Sequence, residues 1–164
     1  AARKEKKQMV IKGILDESFV DYKKPSMYIA FPNCSFKCDA LNNAPVCQNC
    51  KLAEEPDIEI DKKKIIERYM SNPITQAIVL SGLEPFDNIL DVISFVHCLR
   101  NDYKCEDDVV IYTGYSHKEM TEGRYGQAEG GEKVKADLWK SLTTYSNIYV
   151  KFGRFILGQE KHFD

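Results

Sequence analysis

The feature that most constrains this chain is an alternation of short apolar runs with amphipathic, helix-like stretches. Residues Ser26 to Phe31 (SMYIAF) read as a short buried strand, broken by Pro32-Asn33. Asp61 is placed to cap a helix from about Lys62 to Met70, which Asn72-Pro73 stops. Ala77 to Leu80 (AIVL) is too short for a helix and reads as a strand ended by Ser81-Gly82. Asp87 is expected to open a second helix, in which Ile89, Val92, Ile93, Val96 and Leu99 share one face. Val109 to Thr113 (VVIYT) is a third strand, ended by Gly114. Thr121 to Glu132 holds Gly123, Gly126, Gly130 and Gly131 and reads as a mobile surface loop. A helix over Val134 to Leu142, with Leu138 and Trp139 inward, and a strand over Asn147 to Phe152 complete the series.

Strands alternating with helices favour a parallel sheet built from right-handed βαβ units. A closed eight-unit barrel needs about 250 residues, and this chain has 164. The expected architecture is therefore α/β, an open partial (βα) barrel with a mostly parallel sheet, as one domain over residues 1–164. In such sheets ligands gather at the carboxyl ends of the strands.

Composition narrows the function. With 43% hydrophobic and 29% charged residues the chain is globular rather than disordered. A formal net charge of −2 gives no overall basic field for nucleic acid. No apolar run approaches the roughly 18 residues of a membrane span, and no secretory apolar core is visible, so a cytoplasmic protein is expected. Arg3, Lys4, Lys6, Lys7 and Lys12 make residues 1–12 read as a flexible basic N-terminus.

Four of the six cysteines, Cys34, Cys38, Cys47 and Cys50, fall within 17 residues. In a chain without an export signal, such crowding points to metal rather than to disulfides. Thiolates are soft ligands that suit zinc or iron–sulfur clusters. Spacing alone leaves two arrangements open. Four thiolates can close a tetrahedral zinc site; three can hold a cubane and leave one iron for a substrate. Only Cys47 and Cys50 have the C-x₂-C spacing of a zinc knuckle, since three residues separate Cys34 from Cys38. Cys98 and Cys105 read as structural or free thiols, packed as small hydrophobes, rather than as ligands. His97 and His117 have no metal-type partner at helical spacing and read as non-catalytic.

A strand followed by C-x₃-C, then a further cysteine preceded by an apolar residue and followed by x-Asn, resembles the radical S-adenosylmethionine superfamily. Cys34 and Cys38 match its first two cysteines. Leu41 stands where the third is usual, and Val46-Cys47-Gln48-Asn49 follows an insertion. Ser81-Gly82-Leu83-Glu84-Pro85 resembles the family's Gly-Gly-Glu-Pro motif, with Leu83 in place of the second glycine. Ile111-Tyr112-Thr113-Gly114-Tyr115 is similar to a Tyr-Thr-Gly-Tyr stretch of the anaerobic ribonucleotide reductase activating proteins. The run from Val150 to Ile156 resembles their Asp-Gly-Arg-Phe-Ile stretch, with Lys151-Phe152 before Gly153 and no acidic residue.

The resemblance implies a [4Fe-4S] cluster on Cys34, Cys38 and Cys47, with Cys50 as the alternative third ligand. It implies S-adenosyl-L-methionine on the open iron, its amino group held by Glu84 through a charge-assisted pair. Ser81, Gly82, Val46 near the adenine, Asn49, Tyr112 and Thr113 are the further expected cofactor contacts. Ser116 is expected either to reach a ribose hydroxyl or to cap a turn. A flavodoxin or ferredoxin would supply the electron, and the cofactor would yield a 5′-deoxyadenosyl radical. The implied substrate is a glycine of a large glycyl-radical enzyme, the anaerobic ribonucleotide reductase. Another small radical enzyme, a peptide maturase or nucleoside-modifying enzyme, is the alternative, and a zinc-stabilised binding module is the non-enzymatic one.

Overall fold

A computed structural model describes residues 8–32, 56–125 and 131–153. The elements, in chain order, are β1 (Gln8–Ile11), β2 (Gly13–Ser18), β3 (Ser26–Phe31), β4 (Ile58–Asp61), α1 (Lys62–Met70) and β5 (Ala77–Gly82). A 3-10 turn (Pro85–Asn88), α2 (Ile89–His97), a π turn (Cys98–Asp102), β6 (Asp108–Tyr112), α3 (His117–Thr121), α4 (Glu132–Thr143) and β7 (Ile148–Lys151) follow.

Five strands form one sheet in the order β2-β3-β5-β6-β7. The last four run parallel, and β2 pairs antiparallel with β3. This is the mostly parallel α/β sheet expected from the alternation, and its shape is compatible with an open partial barrel. β1 and β4 make a separate antiparallel ribbon.

The core follows from strand alternation. Met27, Ile29 and Phe31 of β3, Ile78 and Leu80 of β5, and Val109 and Ile111 of β6 point to one face. Ile65, Ile66 and Tyr69 of α1, Val92, Phe95 and Val96 of α2, and Trp139 and Leu142 of α4 pack onto them. Each such side chain contributes roughly 1.5–3 kcal/mol through its burial. Lys62 is only 3% exposed and donates from Nζ to Ser94 Oγ at 2.6 Å, tying α1 to α2.

The opposite face carries Tyr28, Val79, Ser81, Val110 and Tyr112. Val79 and Val110 are buried there too. The β2–β3 connection reaches this face: Tyr22 donates to Asp108 at 2.9 Å, Lys24 to the same carboxylate at 3.0 Å, and the Tyr112 hydroxyl to the Asp21 carbonyl.

Three expectations are corrected. The segment 1–12 is not a loose terminus throughout: from Gln8 it is strand β1, with Met9 and Ile11 buried and Lys12 paired to Asp57 at 2.7 Å. Asp87 does not open the second helix. Glu84 caps a 3-10 turn there, because its side chain accepts from Phe86 N and Pro85 supplies a pre-set first position. The third strand ends at Tyr112, one residue before Thr113, which lies at the site described below. Cys98 and Cys105 are buried free thiols, as expected. Burial and Asp102 push the Cys98 thiol up to about 11, which keeps it protonated and inert.

Candidate functional site

The carboxyl ends of β3, β5, β6 and β7 lie side by side. β3 ends at Phe31, and after Pro32 the chain enters the segment that bears Cys34, Cys38, Val46, Cys47, Asn49 and Cys50. Those six predicted residues lie outside the described ones.

β5 ends at Gly82, opposite Phe31. Gly82 has φ +90, and a Cβ there would stand 2.6 Å from Phe31 N and 2.8 Å from Ala30 Cα. Only glycine allows this conformation and this approach together. Leu83 N then donates to Phe31 O at 2.9 Å, extending the β3–β5 ladder by one bond. Leu83 in the place of a second glycine is accommodated because the close contact falls on Gly82.

Glu84 follows, 5% exposed. Its Oε2 accepts from Thr113 Oγ1 at 2.7 Å and from Phe86 N at 3.0 Å, and its Oε1 accepts from Gly114 N at 2.8 Å. Burial pushes the carboxyl up to about 7, against the bonds from Thr113, Gly114 and Phe86, which favour the charged form; Asp87 nearby adds to the rise. Thr113 Oγ1 also accepts from Tyr115 N at 3.1 Å, and the Tyr115 hydroxyl donates to Asp87 at 2.6 Å. Thr113 N donates to Lys151 O and Gly153 N to Tyr115 O, both at 3.0 Å. One carboxylate thus binds the ends of β5 and β6, and backbone bonds carry the connection to β7.

Of the predicted residues, Ser81, Gly82, Glu84, Tyr112 and Thr113 come together at these ends. Ser116 stands a turn further on and caps α3: Glu119 N donates to Ser116 Oγ at 3.1 Å, and Ser116 N to the Glu119 side chain at 3.1 Å. Two residues at the site were not predicted. Tyr28 shares the Ser81 face; burial raises its pKa while hydrogen bonds with Ser81 and Gly82 pull it the other way. The signal was its place in SMYIAF, out of phase with the apolar side chains facing the helices. Asn88 donates from Nδ2 to Pro32 O at 3.0 Å and to Glu84 O at 3.2 Å; nothing in the sequence marked it. A cavity of about 220 Å³ between α4 and β7, lined by Trp139, Leu142, Ile148, Val150 and Phe152, lies on the helix-covered side. It is distinct from the strand-end site.

No group of three or more His, Cys, Asp or Glu among the described residues could hold a metal ion. The crowded thiols of residues 34–50, attached at the end of β3, are the donor set whose chemistry fits an iron–sulfur cluster. A parallel sheet with helices on one face, and a thiol-rich segment leaving a strand end beside a buried carboxylate, defines an α/β metal-cofactor protein. More particularly, the chain belongs to the 4Fe-4S single cluster domain family, whose model matches residues 26–153. No curated protein and no solved structure matches the chain. Among the described residues no helix is long and apolar enough to cross a membrane.

Proposed function

We propose that this protein is a radical S-adenosylmethionine enzyme of the glycyl-radical activating type. The observation that carries the reading is the junction of the Ser81–Glu84 turn with the end of β3, from which the cysteine-bearing segment departs. Cys34, Cys38 and Cys47 are the proposed ligands of three irons, with Cys50 as the alternative third. When bound and reduced by a flavodoxin or ferredoxin, the cluster would supply one electron to cleave S-adenosylmethionine into methionine and a 5′-deoxyadenosyl radical.

The chain's own contribution is binding and orientation. Three internal donors fix the Glu84 carboxylate, and a carboxylate offers about four acceptor positions. The remaining one, with the Ser81–Gly82 backbone, faces the cofactor's amino group in this reading. Tyr112 and Thr113 border the same end of the sheet, and Val46 and Asn49 are assigned to the adenosine. Hydrogen is then taken from a glycine of a large protein, an anaerobic ribonucleotide reductase, which the open side of a small sheet can admit.

The test begins with anaerobic reconstitution. Brown protein with about four irons and matching sulfide, and methionine with 5′-deoxyadenosine formed under dithionite, support the reading. Stoichiometric zinc and no cleavage would replace it with a zinc-stabilised module. Cleavage without a glycyl signal in electron paramagnetic resonance, on mixing with anaerobic reductases, would favour a peptide maturase or nucleoside-modifying enzyme. Losing iron in Cys50→Ala while Cys47→Ala keeps it would exchange those two ligands.

A further inference from the structure

Asn88 occupies the N-cap of α2, where an asparagine ordinarily accepts a hydrogen bond from the first turn. It makes no such bond. Its side-chain nitrogen points out of the helix to two backbone carbonyls, Pro32 O at 3.0 Å and Glu84 O at 3.2 Å. Because both partners only accept, the orientation of the amide is fixed: nitrogen, not oxygen, faces them.

The two carbonyls are not equivalent in what they control. The β3–β5 ladder holds the chain as far as Phe31, through Gly82 and Leu83 N. Pro32 has no N–H, so its carbonyl is the one backbone polar group by which that residue can be gripped. Two positions later comes Cys34. Glu84 O belongs to the residue whose carboxylate joins β5 to β6.

We infer that Asn88 is a positioning residue, bracing Pro32 at the end of β3 against the Glu84 turn and so holding the Glu84 carboxylate in place relative to that strand end. Its relevance to the cofactor rests on the cluster reading above; the brace itself does not. The wedge is local. Removing it leaves the sheet ladder, the cap at Glu84 and the buried face of α2 in place.

Asn88→Asp separates the two roles. Aspartate is an equally good N-cap and suits the positive end of a helix, but it turns an acceptor toward two carbonyl oxygens. In iron-free protein, amide exchange should speed up five- to tenfold at Leu83, whose N–H spans the same junction, and stay unchanged at Phe95 in α2. In anaerobically loaded protein, iron content should be retained. The change that S-adenosylmethionine induces in the resonance spectrum of the reduced cluster should then need at least fivefold more cofactor. Should Asn88→Asp fail to fold, Asn88→Ala drops both bonds without adding charge and is read the same way. Unchanged exchange at Leu83 overturns the brace. Faster exchange with an unaltered cofactor titration overturns its role at the site. Wild-type protein that takes up no cluster sinks the cluster reading and leaves the exchange result standing.

Discussion

Glu84 is held by three donors, yet burial wins and its carboxyl sits at about 7. The sign of the pH effect follows. Its ordinary value is 4.5, so the folded protein holds the proton more tightly than the unfolded chain. Glu84's contribution to stability is full below about 4.5 and is lost as pH rises through about 7. Between pH 5 and 7.5, wild type should lose about 1–3 kcal/mol relative to Glu84→Gln, by the usual conversion of pKa shift to free energy. The glutamine lacks one acceptor at every pH, which adds a constant offset but no slope. Urea unfolding at the two pH values reads the difference; parallel profiles would refute the assignment. Gly82 makes a second residue-scale prediction. Gly82→Ala meets both a left-handed backbone and a contact of 2.6 Å to Phe31 N, so it should destabilise by about 2–4 kcal/mol, seen as a lowered melting temperature. At this scale two separate stretches, Ser81–Pro85 and Ile111–Tyr115, pointed to Gly82, Glu84 and Thr113, which the fold brings together at the strand ends. Asn88 was not legible, because its meaning lies in a carbonyl 56 positions away. Neither were Cys34, Cys38, Cys47 and Cys50 separable, since spacing states which thiols are near in the chain but not which of them would bind a metal.

Elements were readable where one periodicity dominates. α1 lies where Asp61 and the apolar spacing put it, with Lys63 N donating to the Asp61 carboxylate at 2.9 Å. β3 and β5 are short apolar runs bounded by breakers. The start of α2 was misread because Asp87 looks like a cap in isolation, whereas the Glu84 side chain reaches Phe86 N first and winds a 3-10 turn ahead of the helix. β1 escapes a reading by periodicity because only two of its four residues, Met9 and Ile11, are buried, beside a run of lysines. α3 shows the opposite case: five residues that would not persist alone, held by the reciprocal Ser116–Glu119 cap. Ser116→Ala should therefore reduce stability by about 1 kcal/mol, and Ser116→Asp, which restores an acceptor, should recover most of it. If instead Ser116→Ala leaves the urea midpoint unmoved but weakens S-adenosylmethionine binding, the hydroxyl serves the ribose rather than the helix.

Across the whole molecule, the described strands and helices carry a packed core, and the thiol-rich segment joins them after the end of β3. The core draws on β1, β3, β5, β6, α1, α2 and α4, whose buried side chains pack against one another. That segment leaves after Pro32 and the described chain resumes at Pro56. The described residues on either side of it are held by the ladder at Phe31, the grip of Asn88 on Pro32, and the pair of Lys12 with Asp57. Metal binding in small domains is often the folding energy itself, but here roughly two dozen buried apolar side chains among the described residues, each worth about 1.5–3 kcal/mol, supply a core. Removing iron anaerobically with a chelator should thus leave far-ultraviolet circular dichroism and a single cooperative unfolding transition. Faster amide exchange should be confined to the strand ends, at Leu83, Gly114 and Gly153. An apoprotein that loses its cooperative transition altogether would mean that the cluster organises the sheet rather than being mounted on it.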